Sequence, residues 1–181
     1  VGIDPPRGII HKIVRRGLEP KSRSMIYFKG PFDFDGWRND FTLEAMGDVL
    51  QLKLREVLRE DLGGTYNVGV GASASHYPQE EYSISLGFGC DPERVEELTD
   101  VIFEQIDSLK TVGTTDFYLD KVKEIAKRDR EVAMKENRFW LNGLGWVDFH
   151  GLDPVRYLRY NDMVDSLTVE AVQNAAQRYL D

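Results

Sequence analysis

Leu58-Arg59-Glu60-Asp61-Leu62-Gly63-Gly64-Thr65-Tyr66-Asn67-Val68 is where a helix must hand over to a strand. Upstream, Leu43, Met46, Leu50, Leu54 and Val57 recur at three- and four-residue intervals. That spacing predicts an amphipathic helix, capped by Asn39 or Asp40 and running to about Glu60. Gly63–Gly64 stops it. Downstream, Tyr66, Val68, Val70, Ala72 and Ala74 alternate with Asn67, Gly69, Gly71 and Ser73. Period two means a strand with one apolar face. A turn around Tyr77–Pro78–Gln79–Glu80 leads into Tyr82, Ile84, Leu86 and Phe88, again alternating. The two runs predict a hairpin.

Working outward, Gly8 to Arg16 is β-branched (Ile9, Ile10, Ile13, Val14) and predicts a strand closed by Gly17 and Pro20. Ser24 to Phe28 predicts a second, closed by Gly30–Pro31. Asp91–Pro92 is a helix start, a cap followed by Pro at the first helical position. Val95, Leu98, Ile102, Ile106 and Leu109 carry that helix's stripe, and Gly113 breaks it. Thr114 or Thr115 caps a long charged helix predicted to reach Leu141, with Asn142–Gly143 ending it. The stretch to Tyr160 is aromatic-rich and less regular. Thr168 caps a last helix carrying Val172, Ala175, Ala176 and Tyr179. The order β-β-α-β-β-α-α-α predicts an α+β fold, one largely antiparallel sheet with helices on one face. Val1 to Arg7, with Pro5 and Pro6, reads as a linker from a preceding domain, and residues 8–181 as one domain. The missing initiator Met suggests a piece of something longer, and a closing strand is expected beyond Asp181.

Lys and Arg total 23 against 31 Asp and Glu, a net charge of −8. So acidic a chain lacks the electrostatic footprint for phosphate backbones, which argues against nucleic acid as partner. No run is long enough to span a membrane as a helix. One cysteine, Cys90, excludes an internal disulfide. The three histidines, His11, His76 and His150, lie 65 and 74 positions apart. Zinc sites usually take ligands close in sequence, so no metal site is expected in this chain. Cys90 falls between a strand and a helix start, but no His or Lys beside it completes a nucleophile. Glycines at 69 and 71 would let a second backbone approach, either a helix or an extended peptide.

Taken alone, the residues of the opening stretch fit structural roles. Arg59 in a last helical turn complements the helix dipole. Tyr66 shares parity with Val68, so its ring can be core with a wet hydroxyl. Yet Arg59 at the end of the first long helix and Tyr66 seven residues later, with Leu, Gly and Tyr around them, resemble the C-terminal half of the pitrilysin/insulinase-type zinc metallopeptidases. The resemblance extends through 8–17, 24–30, the hairpin, Asp91–Pro92 and Asn137-Arg138-Phe139-Trp140-Leu141.

What the resemblance implies is specific. Members are built of repeated α/β domains whose two halves close like a clamshell. A zinc-binding H-x-x-E-H lies on the first long helix of the N-terminal domain. The matching helix here, Phe41 to Glu60, holds no His. The resemblance therefore implies a zinc-free domain, with zinc in a partner domain of the same polypeptide or in a partner subunit, and an extended peptide as substrate. Arg59 and Tyr66 would be its substrate-binding and transition-state residues, projecting toward the partner's zinc. The phenol would donate to the developing oxyanion and the guanidinium would clamp a substrate carbonyl or carboxylate. The alternative is a scaffold or assembly subunit that kept the fold and lost proteolysis. For a bacterial member the resemblance implies periplasm or cell envelope.

Overall fold

A computed structural model describes residues 8–61 and 67–181, apart from the side chains of 59–61. The sheet has three strands: β1 (Ser22–Pro31), β2 (Asn67–Ser75) and β3 (Glu81–Cys90), in the order β1-β3-β2, antiparallel throughout. The central strand shows the predicted alternation most clearly. Tyr82, Ile84, Leu86, Phe88 and Cys90 are buried, while the residues between them are only half-covered. A central strand has no free edge, so its inward face alone decides its register.

The first helix, α1 (Arg38–Arg55), continues as a π-helical turn over Glu56–Asp61. Its cap is not Asn39 or Asp40, as predicted. Asp35 stands before the helix, and its Oδ1 accepts from the N–H groups of Trp37 and Asn39 at 3.2 and 2.9 Å. Leu43, Met46, Leu50 and Leu54 are fully buried, as the spacing demands. Truncating such a side chain to Ala costs about 2–5 kcal/mol. Gly47 lets the helix lie close against β2. A Cβ there would come within 2.8 Å of the Ala72 Cβ.

After β3, Pro92 opens a short 3₁₀ turn that runs into α2 (Val95–Thr111). Gly113, at φ +89°, makes the turn into α3 (Asp116–Ala133). The predicted long helix ends early. Trp140 Nε1 donates to the Met134 carbonyl at 2.8 Å across a break, and α4 (Asn137–Phe149) begins beyond it. This helix passes through Asn142 and Gly143, which were expected to stop it. Tyr157 packs where a Gly143 side chain would be, so tertiary packing outweighs glycine's low helix propensity. Two short helices, α5 (Pro154–Leu158) and α6 (Tyr160–Asp165), order the aromatic stretch. Then α7 (Val169–Tyr179) follows, with the Thr168 hydroxyl accepting from Ala171 N–H as predicted.

One predicted strand is absent from the described sheet. Residues 8–16 are unpaired, with Ile9, Ile10, Ile13 and Val14 exposed. Strand composition does not supply a pairing partner, and these apolar positions do not alternate. The α+β class and the antiparallel sheet hold. The predicted linker, residues 1–7, lies outside the described residues.

Candidate functional site

The Arg59 side chain and all of Tyr66 lie outside the described residues. What flanks them is well anchored. Leu58, one residue before Arg59, is fully buried in the core. Tyr118 on α3 donates its hydroxyl to Glu56 Oε2 at 2.5 Å, tying the π turn to the neighbouring helix. Beyond the turn, Val68 packs half-buried against the core. Gln51 on α1 donates to the Val68 carbonyl and accepts from Val70 N–H, at 3.2 and 2.6 Å. So the helix end and the strand start are fastened to each other on either side of residues 62–66.

No group of three or more His, Cys, Asp or Glu suited to a metal ion occurs among the described residues. None of the residues of α1 is a histidine. The described side chains therefore do not offer a set of zinc ligands. Burial of Cys90 at the end of β3 pushes its thiol pKa up, with Arg94 opposing, so it is a strand residue rather than a thiolate nucleophile.

Two histidines separated by 74 positions do meet. The His76 and His150 rings lie 5.8 Å apart between centroids, with Phe34 stacked on His76 at 4.3 Å and Trp146 against His150 at 4.4 Å. The His76 Nδ1 approaches Glu80 Oε1 at 2.8 Å. His150 Nδ1 lies 2.8 Å from the Trp146 carbonyl, which can only accept, so that nitrogen carries the proton. This is an aromatic cluster that joins the β2–β3 turn to the end of α4.

A cleft of about 230 Å³ opens beside it, over the N-terminal half of α1. Trp37, Trp146, Tyr157 and Tyr160 wall it, and Asp40, Glu44 and Arg130 supply charge. Asp40, Glu44 and Asp48 succeed one another at four-residue spacing, so they share one helix face. Glu44 keeps solvent contact, but the cleft walls strip much of its water and Asp40 and Asp48 add like charge. Its pKa is raised to about 7. Loss of water also raises Asp40, with the Ala74 backbone opposing by hydrogen bond, and raises Asp48, with Asp129 adding to the effect. Arg130 stacks over Tyr160 and Tyr157 at 4.3 and 4.5 Å, and donates to the Tyr157 carbonyl. Chemically, the cleft is lined by a carboxyl whose pKa is raised to about 7 and by a guanidinium fixed by rings. Sequence reasoning missed it. The four-residue carboxylate spacing and the aromatic-rich segment after Gly143 were the available signals.

Residues 2–126 match the family model described as "Peptidase M16 inactive domain". That match covers more than half of the chain. The chain belongs to the peptidase M16 inactive-domain family. The resemblance drawn from Arg59, Tyr66 and the surrounding pattern is thereby borne out. Among relatives, the M16 inactive domain described here is 31% identical over 102 residues to the zinc protease PQQL-like of Arabidopsis thaliana. That alignment covers 54% of this chain and 11% of the relative. Its fold matches the periplasmic protease PqqL from Escherichia coli with a TM-score of 0.75 at 22% identity, over 90% of this chain and 18% of that one. The peptidase M16 inactive domain from Pseudomonas fluorescens matches with a TM-score of 0.70 at 19% identity, over 90% of this chain and 39% of that one. The chain thus spans a small part of the full-length proteins it resembles. No helix among the described residues is long and apolar enough to cross a membrane.

Proposed function

We propose that this M16 inactive domain is the zinc-free, substrate-binding C-terminal domain of a clamshell zinc metalloendopeptidase. The carrying observation is the Arg59–Tyr66 pair, seven residues apart around Gly63–Gly64, in a chain of the inactive-domain family. In this reading zinc sits in an N-terminal domain of the same polypeptide or in a partner subunit, where it would supply the attacking water. The Tyr66 hydroxyl donates a hydrogen bond to the peptide oxygen as it gains charge. The Arg59 guanidinium clamps a substrate carbonyl or carboxylate and fixes the register of an extended peptide. Relatives named as zinc proteases support the activity. The periplasmic location of E. coli PqqL supports periplasm or envelope for a bacterial protein of this kind.

Metal analysis tests the division of labour. The chain of residues 1–181 should hold no stoichiometric zinc and should not hydrolyse peptides. One zinc per chain that survives mild chelation would overturn the proposal. In the assembled enzyme, Arg59→Ala should weaken peptide binding, raising KM more than it lowers kcat. A fall in Tm with binding unchanged would make Arg59 a helix-end residue only.

A further inference from the structure

The strand β2 lies at one edge of the sheet. Val68 C=O and Val70 N–H both go to Gln51 rather than to β3. Backbone direction alternates along a strand, so the even-numbered residues 68, 70, 72 and 74 turn their N–H and C=O groups outward. A row of such groups is ordinarily a template for another extended chain. Here α1 runs along it. The Gln51 carboxamide is itself an amide, and it makes the two bonds that a residue of a parallel neighbouring strand would make: one donated to the carbonyl of residue 68, one accepted from the N–H of residue 70. Toward the other end, the Ala74 backbone lies near enough to the Asp40 carboxylate to oppose the rise in its pKa. Between them Gly47 meets Ala72 so closely that a side chain there would push the helix off the edge.

The two elements are commensurate. Eleven residues separate Asp40 from Gln51, about 16 Å of helix at ~1.5 Å each. Five residues separate Ala74 from Gly69, the residue between Gln51's two partners, again about 16 Å at ~3.3 Å each. Helix and strand side by side can therefore match at both ends. We infer that α1 serves as a surrogate strand, with Gln51 as the clasp that holds the β2 edge closed against pairing with an extended polypeptide, a second copy of this chain included. The inference stands apart from any role of Arg59 or Tyr66. At Gly69 an added side chain would meet nothing within 4 Å and at Gly71 only the Ser85 hydroxyl, so the helix approaches β2 at Ala72 and not over the two glycines. A peptide could pair with this edge only by displacing Gln51.

Amide exchange followed by NMR on the 181-residue chain tests this. In the wild type, Val70 N–H should exchange at least about tenfold more slowly than the amides of the Tyr77–Glu80 turn, although it lies on an outer edge. Exchange at the turn's rate would overturn the inference. Gln51→Leu keeps the side chain's bulk and removes both bonds. It should speed Val70 exchange at least about tenfold, and sedimentation should show concentration-dependent dimers or larger species. A Leu variant that stays monomeric with wild-type Val70 protection would overturn the clasp. If that variant does not fold, Gln51→Glu decides. It keeps an acceptor for Val70 N–H and loses the donor to Val68, so it should retain Val70 protection; loss of that protection counts against the clasp.

Discussion

Toward its N-terminal end α1 borders a cleft of four aromatic rings and an arginine; toward its C-terminal end Gln51 bonds the backbone of one strand. The first meeting is built from residues about a hundred positions apart, on α1, α3, α4 and the short helices after them. The second joins α1 to the strand that follows it in sequence, through Gln51 and the start of β2, with Leu58 buried beyond and Tyr118 of α3 bonded to Glu56. The difference shows how the domain divides its labour. Distant packing makes a cleft with unusual acid–base properties, and a local clasp ties the end of α1 to the start of β2. A change at one end should leave the other intact, and that separation can be attacked.

The largest expected effect is at Gly143, where a side chain would collide with Tyr157. Gly143→Ala should destabilise the fold by about 1–3 kcal/mol, the usual range for forcing an extra methyl into packed surroundings. Denaturant melts would measure it. The peptide binding proposed for Arg59 should survive wherever the protein stays folded. Lost binding in a folded variant would show that the two ends are coupled.

A smaller effect is expected at Glu44. Its pKa in the folded protein, about 7, lies above the ordinary 4.5. The folded state therefore holds this proton more tightly, so stability falls as pH rises from about 4.5 through 7. Glu44→Gln should flatten that part of the stability profile. At pH 8 the variant should be the more stable protein, by no more than about 1 kcal/mol, because solvent screens a carboxyl that keeps contact with water. An unchanged profile would mean that Glu44 titrates as an ordinary surface acid.

The two ends also differ in how legible they were. The stripe Leu43, Met46, Leu50, Leu54 and the alternation through β3 announced themselves because burial imposes a fixed period on each element. The family was readable from Arg59 and Tyr66 because their relation is one of sequence spacing. The cleft was not, because nothing local links Glu44 to Arg130 or Tyr157. Gly143 was read as a helix stop because its reason for being glycine is a ring fourteen positions away. The strand expected over 8–16 failed for the converse reason. Its β-branched residues state a preference, but they do not alternate, and the segment does not pair with the described sheet. Asn39 and Asp40 missed the cap by a few residues, since Asp35 reaches forward to two N–H groups at once.

The central claim, that this domain lends side chains to a zinc site it does not hold, is tested most directly by Tyr66→Phe in the assembled enzyme. The substitution removes one hydroxyl and keeps the ring. The account predicts turnover lowered by about tenfold to a thousandfold, the range for losing one oxyanion donor, with zinc content and thermal stability unchanged. Full turnover in that variant would contradict it.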